Sequence, residues 1–110
     1  MTQARLIPLA EAIPAPRLQP GRMATTPGVD AAVPTRRIME CVSRHFAGDW
    51  GVMSDEDRKA NNAAVKNGAR VLSAYPIDPA KPCNGYDRNT LWIITEADRS
   101  VTTVLLPSEH

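Results

Sequence analysis

With 110 residues, 13 Lys and Arg against 12 Asp and Glu, and 43% apolar residues, the chain has room for one small domain and a formal net charge of only +1. That balance excludes the whole-molecule field a nonspecific nucleic-acid binder uses, so direct nucleic-acid binding gets no support from bulk charge. No apolar run approaches the roughly 18 residues of a membrane span, and the first apolar stretch is interrupted by Pro8, Glu11, Pro14 and Pro16, unlike a secretory leader. Two cysteines, Cys41 and Cys83, form no C-x-x-C pair, and free thiols in a cytoplasmic protein are the expectation.

Six of the ten prolines fall within residues 1–34. Each fixes its own φ and pushes its predecessor towards extended backbone, so 1–34 is expected to be a Pro-rich extended segment. Leu6, Ile7, Leu9, Ile13 and Leu18 make it too apolar for a solvating tail. It is expected to lie along the domain or a partner, with 1–16 the part that is mobile in isolation. Residues 35–110 are expected to form a single α+β domain. Thr35 is the candidate cap of a helix whose Ile38, Cys41, Val42, His45 and Phe46 follow the spacing of one buried stripe, ended by Gly48. Ser54, followed by Asp55, Glu56 and Asp57, marks the start of a second helix, and Gly68 its end. Within it Ala60, Ala63 and Ala64 form a small-residue stripe that permits close approach to a sheet.

Residues 69–75, 90–96 and 100–106 are rich in β-branched and aromatic side chains and predict strands. The connection 76–89 holds Pro76, Pro79, Pro82 and an Asn84-Gly85 turn and is expected to protrude; the connection Ala97-Asp98-Arg99 is tight. Two helices packed on a three-stranded antiparallel meander is the predicted architecture.

The blocks RHFAGDWG from Arg44, D-x-x-x-N at Asp57 and Asn61, RVLSAY, and LWIITEADRSVTTVLLP ending at Pro107, preceded by ATTPG at 24–28, occur here in order. In this the chain resembles a family of small proteins carried on plasmids, integrative elements and prophages of proteobacteria. Its members are often labelled plasmid-related protein or mislabelled as a type I restriction-modification subunit. The connection 76–89 departs from the family's shorter turn. The resemblance implies no activity to carry over. It implies a genomic neighbourhood in which small proteins act against host defence, anti-CRISPR proteins among them.

The densest chemistry is the HFAGDWG block. His45 and Asp49 read as an acid/base pair, or Trp50 as an exposed anchor for a partner; alternatively His45 caps its helix, Asp49 bonds the loop backbone and Trp50 plugs the core. Asp57 and Asn61 share a helix face, where they bind a ligand or hold the preceding loop. Arg99 reads as a hairpin brace paired with Glu96 or Asp98. A rival reading brings His45, Glu96 and Arg99 together as acid, base and phosphate clamp, the groups RNA cleavage needs. Helices followed by a meander also look like ribonuclease toxins of the barnase and RelE type, a fold-level analogy. Cys41, His45, Cys83 and His110 offer zinc-ligand chemistry, but Cys41 sits on the apolar stripe, and no metal or other cofactor is expected. Walker A, G-x-G-x-x-G and G-x-S-x-G motifs do not occur, so nucleotide hydrolysis and serine-hydrolase chemistry lack a sequence basis.

The leading expectation is therefore a small non-enzymatic binding protein of a mobile genetic element. It would inhibit or modulate a host protein complex, such as a CRISPR effector or another nucleic-acid-handling machine. The candidate contacts are Arg44, Asp49, Trp50, Asp55, Glu56, Asp57, Asn61, Tyr86 and Arg88, because aromatic and arginine anchors within a polar rim carry most binding energy.

Overall fold

The structure, a computed structural model, describes residues 18, 19 and 21–110. In chain order these form β1 (Arg22–Thr25), α1 (Pro27–Ala32), α2 (Thr35–Phe46), α3 (Asp55–Asn67), β2 (Val71–Pro76), β3 (Thr90–Thr95) and β4 (Val101–Leu105), closed by a 3-10 turn at Pro107–Glu109. The fold is α+β. Strands β2, β3 and β4 make the expected antiparallel meander, but β1 adds to it in parallel beside β4, giving a mixed four-stranded sheet of order β1-β4-β3-β2.

The fourth strand comes from inside the expected extended segment. Gly21, at φ 62°, lets the chain pass so close to Arg99 and Ser100 that any side chain there would strike their backbone. Arg22 N then donates to Ser100 O and the parallel ladder begins. Pro27 opens α1 at a position whose missing N–H costs nothing, and Thr26 caps that helix. Leu18, Val29 and Val33 are buried in the same core as α2 and the sheet, so the core crosses the boundary expected at residue 34. The reading of 1–16 as mobile lies outside the described residues.

The stripe on α2 behaves as its spacing predicts: Ile38, Cys41, Val42, His45 and Phe46 are all buried. Its N-cap is Pro34, without a side-chain cap, and Thr35 is the first helical residue. α2 covers one face of the sheet, where Val71, Tyr75, Leu91, Ile93 and Val104 meet it. Ser54 caps α3 by accepting from Asp57 N, and Gly68 ends it at φ 72°. α3 does not lie on the sheet face as expected. It lies along the β2 edge, where Asn61 Nδ2 donates to Leu72 O at 2.7 Å and Leu72 N donates to Asn61 Oδ1 at 3.3 Å. The amide thus takes the place of a neighbouring strand's peptide group.

One step along, Ala74 N donates to Trp50 O and Val52 N to Ala74 O, at 3.2 and 2.7 Å. This pairing needs Gly51 at φ 75°, since a Cβ there would strike Ala74 O. The connection 77–89 does not protrude freely. Asn89 Nδ2 donates to the carbonyls of Asp78, Lys81 and Pro82, and Trp92 Nε1 donates to Gly85 O at 2.8 Å, drawing the connection across the second face of the sheet.

If Asn61 closes the β2 edge rather than pairing with Asp57, Asn61→Ala should cost about 2 kcal/mol, because two peptide groups lose their partners. Asp57→Ala should fall within about 0.5 kcal/mol of wild type. Urea denaturation of the two variants provides the comparison.

Candidate functional site

The HFAGDWG block is turned inward. His45, fully buried on the last turn of α2, places Nδ1 2.6 Å from Ser73 Oγ on β2 and Nε2 2.8 Å from Thr95 Oγ1 on β3. Thr95 Oγ1 lies 2.8 Å from Thr102 Oγ1 on β4, extending the chain of polar groups across three strands. A neutral ring donates through one nitrogen and accepts through the other, and hydroxyls satisfy both roles whichever tautomer is present. Phe46 and Trp50 meet the ring edge-on at centroid distances of 5.3 and 5.6 Å. Burial in this apolar setting pushes the imidazole pKa from 6.5 down to about 3. His45 thus neither caps its helix nor pairs with Asp49.

Asp49 instead grips Arg44, with Nε to Oδ2 at 2.8 Å and Nη2 to Oδ1 at 3.3 Å, and accepts from Gly51 N. That Arg44 partner, opposed by partial burial and aided by Gly51 N, holds the carboxyl below its usual range. The Arg44 guanidinium also covers the Tyr75 ring at 4.8 Å, while Tyr75 Oη donates to Asp49 O at 2.7 Å. Burial raises the Tyr75 phenol well above its ordinary pKa. Trp50 is 3% exposed, and its Nε1 donates to Asn62 Oδ1 at 3.0 Å. It is core, not an anchor, since so small an interior needs its bulk.

The three groups of the ribonuclease reading face separate tasks. Arg99, at φ 61°, donates through Nη1 to Ala69 O and Glu96 O and through Nη2 to Ala64 O. It braces the β3–β4 turn against the C-terminal end of α3, using carbonyls rather than the expected carboxylates. Glu96 lies 3.9 Å from Arg70. His45, sealed under Trp50 and Phe46, cannot deliver a proton to a bound phosphate. The zinc candidates are likewise separate: Cys41 is buried on α2, Cys83 Sγ contacts Thr90 Oγ1, and His110 Nε2 contacts Arg70. Among the described residues no three His, Cys, Asp or Glu side chains are grouped to hold a metal ion.

What the surface offers is a groove of about 640 Å³ between the start of α3, the sheet face and the folded-back connection. Val52, Met53, Leu72 and Trp92 form its apolar floor, and Asp57, Arg58, Asn84 and Tyr86 its rim. Tyr86 is 76% exposed yet positioned, its ring edge-on to Trp92 at 5.9 Å and its backbone N–H held by Asn84 Oδ1 at 2.8 Å. Trp92 is held on a second side by the His110 ring at 5.4 Å. Of the expected partner contacts, the groove gathers Asp57, Asn61 and Tyr86. Asn61 is only 7% exposed and committed to Leu72, so it shapes the wall. Asp55 and Glu56 stand exposed beside the groove, with Asp55 Oδ1 3.5 Å from Arg58. Arg88 is exposed but outside its lining, and Arg44 and Asp49 are engaged with each other.

Sequence reasoning missed Trp92, Met53 and Asn84. The signal for Trp92 was the unbroken apolar run of β3, which implies cover on both sheet faces. No protein-family model matches the chain, and neither a curated protein nor a solved structure matches it.

The depressed pKa of His45 has a signed consequence. The unfolded ring takes up a proton near pH 6.5 and the folded ring only near pH 3, so the stability is complete above about 6.5 and is lost as the pH falls from there. By about pH 5 the loss should be roughly 2 kcal/mol. His45→Gln, which keeps a donor and an acceptor but does not titrate, should flatten that part of the profile. Denaturant titrations at a series of pH values measure both.

Proposed function

We propose that the protein is a small non-enzymatic binding protein of a mobile genetic element, one that inhibits or modulates a host protein complex in the manner of an anti-CRISPR protein. The element and the anti-defence setting rest on the family resemblance of the RHFAGDWG-to-Pro107 blocks. The observation that carries the binding role is the groove: an exposed Tyr86, positioned by Trp92 and Asn84, beside an apolar floor, with the exposed Asp57 carboxylate at the rim. This is the makeup of an interface hot spot, an aromatic anchor with desolvated apolar surface behind it and polar groups around it. A partner segment that fits presents an apolar side chain to Trp92 and Leu72 and a cationic one to Asp57.

The burial of His45 and the engagement of Arg99 with backbone carbonyls argue against the ribonuclease reading, and purified protein is expected to leave RNA uncut. The test is affinity capture in a proteobacterial host with an active CRISPR system. Wild-type protein should recover a defence complex in stoichiometric amount, and Tyr86→Ala should reduce recovery by about tenfold or more. Met39→Ala, at an exposed position on α2, should leave it unchanged. Recovery of no complex, or equal recovery with Tyr86→Ala, contradicts the reading.

A further inference from the structure

The two edges of the sheet are finished differently. On β2 the outward peptide groups of Leu72 and Ala74 are engaged by the Asn61 amide and by the backbone of Trp50 and Val52. The opposite edge is β1. Arg22 N and Thr26 N donate inward to Ser100 O and Val104 O, so strand alternation turns the N–H and C=O groups of Met23 and Thr25 outward. These have no hydrogen-bond partner among the described residues, and all four residues of β1 are exposed. No proline or charge interrupts Met23, Ala24 and Thr25, the devices by which an edge is normally guarded.

We propose that a second copy of this chain pairs antiparallel along β1, joining two four-stranded sheets into one across a two-fold axis at Ala24. The register follows from which groups point outward. Hydrogen-bonded pairs join outward-facing residues, so Met23 of one copy stands opposite Thr25 of the other and each pair exchanges two bonds. Ala24 then faces its own symmetry mate in a non-hydrogen-bonded pair, where Cα atoms approach to about 4.5 Å and a small side chain fits.

Charge selects this arrangement. Arg22 of one copy falls opposite Thr26 of the other, on the same face, where Thr26 Oγ1 donates to the exposed Glu109 carboxylate at 2.5 Å. A parallel pairing would set Arg22 beside Arg22 instead. The symmetry also closes the assembly, because the capped β2 edges offer no template for further growth.

Light scattering on the full chain, over a concentration series reaching about 1 mM, should show the mass rising from 12.0 kDa towards twice that value. Met23→Pro removes an outward donor and leaves the β1–β4 ladder whole, so association should weaken about tenfold or more with thermal unfolding unchanged. Should that variant disturb the fold, Arg22→Glu, which sets a carboxylate against Glu109 of the second copy, should weaken association about tenfold or more. Ala24→Cys in a Cys83→Ser background should form an intermolecular disulfide under mild oxidation, because the Cα spacing on the axis suits one. A chain that is monomeric at every concentration overturns the proposal, as does a dimer that persists in both Met23→Pro and Arg22→Glu. A monomer that takes up an extended peptide along β1 also overturns it, and assigns the edge to a different partner.

Discussion

The His45 imidazole is a fully buried polar side chain that ties α2 to two strands of the sheet at once, and the groups around it keep both ring nitrogens satisfied. One ring nitrogen meets β2 through Ser73 and the other meets β3 through Thr95, with Thr102 carrying the network on to β4. A buried polar group stabilises a fold only when its hydrogen bonds are made, and here the two bonds fix the rotation of α2 relative to the strands. Phe46 and Trp50 close over the ring, so the residues that look most like reaction chemistry in the sequence are spent on packing. Among the described residues no buried side-chain nitrogen or oxygen lacks a partner, which leaves no polar group in the interior pointing at an absent ligand.

The surface follows from how the sheet is closed. Asn61 and the 50–52 backbone complete the β2 edge, and to do so α3 must stand beside the sheet instead of covering its second face. The second face is left to the 77–89 connection and the C-terminal turn, which reach only part of it: Gly85, Tyr86 and His110 surround Trp92. The groove is the space between these two partial covers. The same economy leaves β1, paired in parallel with β4 at the far edge of the sheet, without a cover of its own among the described residues.

The elements that could be read from the sequence are those whose signals are local. The α2 stripe, the Ser54 cap, the Gly68 stop and the three meander strands are each written within a window of a few residues. β1 is not. Arg22, Met23, Ala24 and Thr25 show no apolar alternation, and their strand conformation is imposed by a partner nearly eighty positions away, with Gly21 allowing the approach. Pro27 was legible as a breaker but equally fits a first helical turn, which is its role in α1. The placement of α3 turned on whether Asn61 faced Asp57 or a strand edge, a tertiary question that spacing cannot answer. At the site, composition pointed to Tyr86 and the acidic turn, whereas Trp92 became visible only once the connection was seen folded over it.

If His45 is a sealed, neutral bridge between two strands, its ring is the most direct thing to measure. Heteronuclear NMR of the imidazole should show a ring whose two nitrogens are inequivalent, fixed as one donor and one acceptor, and unchanged as pH falls from about 8 to 5, with protonation only near the low value of about 3 that burial imposes. A ring that titrates close to 6.5 would mean that water or substrate reaches it, and would return the HFAGDWG block to the role of a reaction centre.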